Sequence, residues 1–232
     1  MIGNINNLHQ QEAFSRRGLR GRLADSAYTT IRQQIEDGTL PLGSVLYELE
    51  LVDRLAMSRT PVREALHRLA TEGYIQQQYR GYMVVELTNK DLSNVYAVRG
   101  MLEGMAARQA SKVRSRVDIA ILQDFIDKAE QAIREGREED SAAYAEEFHD
   151  ALAKASGNAY LYATLMDTRR YVEPYRKRIA PIHGLAQRAL QEHKEILATI
   201  ERGDGDAAEF AAREHTRQTL RAIVRSDDEV RE

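Results

Sequence analysis

The stretch LAMSRTPVREALHRLATEGYI, Leu55 to Ile75, sets Arg59, Arg63 and Arg68 around a proline, directly before an apolar run at helical spacing. Thr60 is a good N-cap, and Pro61 suits the first helical position, where its missing N–H is harmless. Val62, Leu66 and Leu69 point one way, Thr60, Arg63 and His67 another, and Gly73 ends the helix. Upstream, YELELVDRLA predicts a short helix with Leu51, Val52 and Leu55 inward, and MSR a tight turn. Before that, Leu23, Ala27, Ile31 and Ile35 recur every four residues until Gly38, and GTLPLGSVL follows as a connector. Downstream the period changes. YIQQQYRGYMVVEL reads as two short strands around Arg80-Gly81, a hairpin. Residues 22–88 therefore read as helix, helix, turn, helix and two-stranded wing.

A winged helix-turn-helix places its second helix in the major groove of double-stranded DNA. That helix's N-terminus presents N–H groups and partial positive charge to phosphate. Arg59 and Arg63 sit on the first turn, and arginine pairs bidentately with guanine O6 and N7. Ser58 and Thr60 can donate to phosphate, and Arg80 with Gly81 at the wing tip suits close approach to the backbone or minor groove. The net charge of -3 does not oppose this. Residues 1–90 carry 11 Lys/Arg against 10 Asp/Glu, and from Arg54 to Arg68 there are four arginines and one acid, Glu64. Phosphate contacts need only local positive potential. On charge alone, arginines on an ordinary solvated helix face explain the pattern equally well.

The rest of the composition excludes several classes. No run of 18 apolar residues marks a membrane span, and MIGNINNLHQ lacks the basic-then-apolar pattern of a signal peptide. Cysteine is absent, which rules out disulfides and thiolate metal sites and fits a reducing cytoplasm. Residues 1–21, with SRRGLRGR, read as a flexible basic arm. After Asp91 apolar residues recur at three and four, and six helices are predicted near 91–112, 117–135, 139–156, 158–179, 184–202 and 204–226. No heptad run is long enough for a coiled coil, so this half is an antiparallel bundle with short loops. The fold class is mainly α.

Among six histidines, His193 and His215 lie 11 residues on either side of Asp204 in the GDGD loop. In an antiparallel helix pair rising ~1.5 Å per residue, both sit ~16 Å from the turn and are level. His149 in FHDALAKASGN can complete a set. Three imidazoles in a bundle core suit a borderline divalent ion, zinc or nickel. Isolated histidines that merely satisfy polar partners remain the alternative. Arg99, in VRGMLE, can clamp a carboxylate or pair with Glu103 one turn on. Tyr144, Tyr171 and Tyr175 suit a pocket lining or a core.

SRTPVREALHRLATEGYI followed by YRGYMVV resembles the winged helix-turn-helix of the GntR superfamily of bacterial transcription regulators, and DGTLPLGSVLYELELVDRLA fits its lead-in. VRGMLEGMAARQA, FHDALAKASGN and EHKEILATIERGDGDAAEFAAREH are similar to the FCD ligand-binding domain of the FadR-like branch, in its six-helix VanR-type form. The resemblance implies DNA contacts by Arg59, Thr60 and Arg63, support from Ser58, and a wing contact at Arg80-Gly81. Leu49 departs from relatives with an arginine near there, so no contact is assigned to it. The resemblance also implies a divalent metal on one aspartate and three histidines, with His149, His193 and His215 matching the histidines. Ala145 replaces the aspartate, leaving Glu146 as a candidate fourth ligand, and Arg99 matches a position that faces the effector.

The expectation is a cytoplasmic, nucleoid-associated regulator with no membrane partner. It has a DNA-binding domain over 22–88 and an effector-binding, dimerising helical domain over 91–227. As a homodimer it binds a pseudo-palindromic operator. A small carboxylate in the helical domain, at a divalent metal ion, relieves repression. The alternatives are a regulator whose helical half only dimerises and, further off, a metal-dependent hydrolase.

Overall fold

The computed structural model describes residues 21–113, 115–179, 182 and 184–231. The expected arm lies, but for Gly21, outside the described residues. The chain divides into two compact units at Glu86/Leu87.

In the first unit, helix α1 occupies 21–36 of the described residues. Strand β1 (Val45–Leu46), helices α2 (Glu48–Leu55) and α3 (Arg59–Thr71), and strands β2 (Ile75–Gln77) and β3 (Tyr82–Val84) follow. Ala27, Ile31 and Ile35 of α1 meet Leu51, Val62, Leu66 and Leu69 in one core, closed by Ile75 and Val84 of the wing. Leu23, expected inward, is 40% exposed, and the neighbouring Ala24 is buried instead. Helix α3 starts two residues earlier than expected. Ser58 takes the extended N-cap backbone, and Pro61 falls third in the helix, where its absent N–H still costs nothing. The connector also hides a strand: β1 pairs antiparallel with β3, Val45 opposite Met83 and Leu46 opposite Tyr82, giving sheet order β1-β3-β2.

The wing turns at Gly81, whose φ of +86° lies in the left-handed region. A Cβ there would run into the carbonyl oxygen of Leu46. Glycine is thus fixed twice at the wing tip, by backbone angle and by the close approach of β1.

Among the described residues the second unit has six helices: α4 (Asn89–Val113), α5 (Arg116–Arg134), α6 (Glu138–Ala155), α7 (Ala159–Ile179), α8 (Leu185–Arg202) and α9 (Gly205–Arg231). Leu122, Ile126, Phe148, Leu152, Ile196 and Ile200 form its central core. Gly203 ends α8 in the left-handed conformation, and Asp204 caps α9 by accepting from the Ala207 N–H. Helices α4 and α9 pack through small residues. A Cβ at Gly104 would stand 2.7 Å from Arg213 Cγ. No helix of the described residues is long and apolar enough to cross a membrane.

Candidate nucleic-acid interface and candidate metal centre

The arginines of the opening stretch have separate fates. Arg68 reaches back to α1, its Nη1 2.5 Å from Asp25 Oδ1 and its guanidinium 4.1 Å above the Tyr28 ring. Arg54 donates to Gln34. Both serve the packing of the unit. Ser58, Arg59 and Thr60 stand exposed at the start of α3, and Arg80 is exposed at the wing tip beside Gly81. Arg63 is 65% exposed, with Nε and Nη2 donating to the two oxygens of Glu48 at 3.0 and 2.7 Å. This side-on pair occupies one edge of the guanidinium. The Nη1–Nη2 end keeps its N–H groups for a base or phosphate. The pair holds the Glu48 carboxyl below its ordinary pKa. Tyr47, Leu49, Gln77 and Tyr79 complete a cleft of about 460 Å³ between this pair and the wing. Glu48 was not singled out in the sequence, because its pairing depends on how α2 crosses α3.

In the second unit His149 of α6, His193 of α8 and His215 of α9 converge, with ligand atoms all within 4.8 Å of one another. All three are buried. His215 Nε2 lies 3.2 Å from His149 Nε2. On the far side of each ring is a carboxylate: Glu192 Oε2 at 2.7 Å from His215 Nδ1, and Glu103 Oε2 at 3.5 Å from His149 Nδ1. Glu192 favours a proton on His215 Nδ1 and turns the Nε2 lone pair of that ring inward, toward His149 Nε2. His149 Nδ1 is buried without a hydrogen-bond partner among the described residues. His193 Nε2 is buried without a hydrogen-bond partner among the described residues, its ring stacked on Phe148 at 4.5 Å.

Burial, then the positive charge of Arg176, pushes the His149 pKa well below its ordinary value. Burial, then His215, does the same to His193. Both rings are held neutral, the form that ligates metal. Metal–nitrogen bonds of ~2.1 Å keep ligand atoms within ~4.2 Å of each other, so the set fits an ion after a small side-chain rotation.

The other expected residues lie around this centre. Ala145 is one turn before His149 on α6, with no donor to offer. Glu146 pairs with Arg176 at 2.7 Å and lies 3.9 Å from Arg169, outside the converging set. Arg99 is buried, 2.7 Å from Glu103 Oε1, and donates to Thr168 Oγ1 at 3.3 Å. Thr216 donates to Glu103 at 3.0 Å. Polar contacts thus join Arg99, Glu103 and Thr216 of α4 and α9 on one side, and His149, His215 and Glu192 of α6, α9 and α8 on the other. Tyr175 is buried, its hydroxyl accepting from the Leu87 N–H. Glu192, Arg176 and Phe148 were not anticipated. Glu192 looks like one more helix-surface acid, and Arg176 sits in a basic run, YRKR, that reads as solvated.

Residues 94–218 match the family described as "FCD domain", and residues 23–85 match "Bacterial regulatory proteins, gntR family". The chain belongs to the GntR family of bacterial regulatory proteins and carries an FCD domain. It is a DNA-binding transcriptional regulator. A GntR relative of Paenarthrobacter nicotinovorans, named a probable D-xylose utilization operon transcriptional repressor, is 30% identical over 93% of this chain and 95% of its own. The gluconate operon transcriptional repressor of Bacillus licheniformis is 23% identical over 76% of this chain and 74% of its own. The solved structure of Escherichia coli McbR/YncC shares the GntR fold, with a TM-score of 0.74 at 23% identity, covering 88% of this chain and 97% of that one.

Proposed function

We propose that this GntR regulator is a repressor released from its operator by a small carboxylate, bound in the FCD domain at a divalent metal ion. The observation that carries the reading is the convergence of three buried imidazoles from three helices. His149, His193 and His215 hold zinc or nickel, and Glu192 orients the His215 ring. Glu146 is committed to Arg176, so the coordination left open by Ala145 goes to water or to the effector's carboxylate. Bound there, the metal supplies a positive charge that a chelating acid can grip. Arg99 helps to neutralise the acid from α4.

In the first unit Ser58, Arg59, Thr60 and Arg63 read or anchor the major groove, and Arg80 with Gly81 contacts the backbone beside it. Two copies, as a homodimer, engage the halves of a pseudo-palindromic operator in the bacterial cytoplasm. Effector binding shifts the population between arrangements of different operator affinity. The named operon repressors among the relatives support the direction of control, and gluconate is itself a small carboxylate.

The test is an operator titration on protein purified without a metal-affinity column and assayed for metal content. A panel of small chelating acids is added to the metal-loaded wild type and to His193→Ala. An acid should weaken operator binding by the wild type alone, with about one metal per subunit lost in the variant. Equal metal content in both proteins would remove the metal from the reading. Operator binding indifferent to every acid would favour a helical half that only dimerises.

A further inference from the structure

Leu49 stands outside the core of the first unit, and its surroundings supply it with a role. It is the second residue of α2 and is 55% exposed. It lines the cleft beside the wing with Glu48, Arg63 and three tyrosines, Tyr47, Tyr79 and Tyr82. Among the described residues lining that cleft, Leu49 is the one aliphatic side chain. A single exposed leucine on an ordinary surface needs no explanation. This one stands beside Arg63, on the side of the unit that carries the DNA-reading groups.

Its neighbour in the chain fixes how near the bases it comes. Glu48 holds the Arg63 guanidinium through Nε and Nη2, so the first turn of α2 lies level with the side chains that α3 offers to the groove. Over the sugar–phosphate backbone, a leucine would strip water from charged oxygens and return nothing. Over the base edges it has one apolar match. The major-groove edges present hydrogen-bond donors and acceptors, and thymine alone adds a methyl group, at C5.

We infer that Leu49 packs on the C5-methyl group of one thymine in each operator half-site, and so sets a T·A preference beside the base pair that Arg63 reaches. The contact rests on the proposed placement of α3 in the major groove. Leu49 and Arg63 approach from adjacent helices and line one cleft. The thymine therefore lies within ~2 base pairs of the Arg63 contact, at a rise of ~3.4 Å per pair. Arginine selects guanine by two directed hydrogen bonds, whereas leucine selects thymine by taking a methyl group out of water.

Deoxyuridine differs from thymidine by that methyl group alone, so it isolates the contact. Each thymine of a duplex selected from a random library is replaced in turn by deoxyuridine. Affinity at fixed salt is then read by fluorescence anisotropy for the full-length wild type, Leu49→Ala and Arg63→Ala. The wild type should lose about 4-fold at one thymine per half-site, the worth of one buried methylene-sized group. Leu49→Ala should bind the parent duplex at least that much more weakly than the wild type, and should not respond to deoxyuridine at that position. Its urea midpoint should match the wild type, because the side chain is exposed. A wild type indifferent to every replacement, with Arg63→Ala weakened, would overturn the Leu49 contact alone. A thymine that stays equally sensitive in Leu49→Ala would assign its methyl group to another side chain and overturn the contact as well. Normal operator binding by Arg63→Ala would overturn the placement of α3 on which the contact rests.

Discussion

Replacing Glu48 by alanine should damage operator recognition through Arg63, without Glu48 touching a base. In the free protein Glu48 braces the side-on edge of Arg63 through two hydrogen bonds, at 3.0 and 2.7 Å, and leaves the other end of the guanidinium for DNA. An arginine already held in place loses less rotamer freedom on binding. Ordering a long side chain costs ~0.5–1.5 kcal/mol at an interface, which is roughly a 2- to 12-fold loss of operator affinity for Glu48→Ala. The same substitution removes a negative charge facing phosphate, so binding to unrelated DNA should stay level or strengthen. The ratio of specific to non-specific affinity then falls more than the operator affinity does. Arg63→Ala removes the contact outright and should weaken operator binding roughly 5- to 150-fold. If Arg63 reads a base, the salt slope stays near that of the wild type; if it holds a phosphate, the slope drops by about one. The assay is fluorescence anisotropy at four salt concentrations, on a duplex selected from a random library and on a scrambled control. The pair is solvent-exposed, so the urea midpoint should not move in either variant. If Glu48→Ala matches the wild type on both duplexes while Arg63→Ala loses affinity, the brace plays no part in recognition. If Arg63→Ala also binds normally, α3 does not read DNA through this residue.

Three further outcomes follow from the geometry. Zinc at about 100 times its dissociation constant should stabilise chelator-treated protein by ~2.7 kcal/mol, a Tm rise of roughly 5–10 °C by differential scanning fluorimetry; an equal rise in His193→Ala would place the ion elsewhere. Gly81→Ala forces a Cβ at φ +86° against the Leu46 carbonyl, so β1 must part from the wing. It should cost ~1–3 kcal/mol in urea unfolding and weaken operator binding; wild-type behaviour in both would show the turn to be tolerant. Arg99→Met strands the buried Glu103 carboxylate and should destabilise by ~3–5 kcal/mol, whereas Arg99→Met with Glu103→Met should recover most of that loss. Equal destabilisation by the single and double variants in chemical denaturation would mean that Arg99 acts through its packing alone.

What could be read in the chain beforehand was whatever local spacing controls. Pro61, Gly73 and the change from a helical to a strand period at Ile75 announce α3 and its wing, and the six-helix count of the second unit follows from its loops. His193 and His215 were legible as a facing pair because equal distances from one turn fix their level in any antiparallel hairpin. What stayed hidden depends on contacts between elements. Strand β1 has two residues, too few for an alternation to show, and exists because β3 offers it an edge. Whether Leu23 or Ala24 faces inward depends on the rotation of α1 against its neighbours. The N-cap went to Ser58 and not Thr60, since both residue types suit the place and the chain path from Ala56 settles it. Arg68 looked like its neighbours Arg59 and Arg63, but a stack on Tyr28 of α1 separates it from them. The commitment of Glu146 to Arg176 was equally invisible, because it joins α6 to α7 across the bundle.

The three histidines come from α6, α8 and α9, and the first and the last stand 66 positions apart. No two of them lie on one helix, so a partly folded chain has no local chelating pair with which to capture an ion. The last of the three is on α9, which follows the DNA-reading unit and the other two histidine-bearing helices in chain order. On the proposed metal reading, occupancy of the centre would score whether α9 has closed onto the bundle.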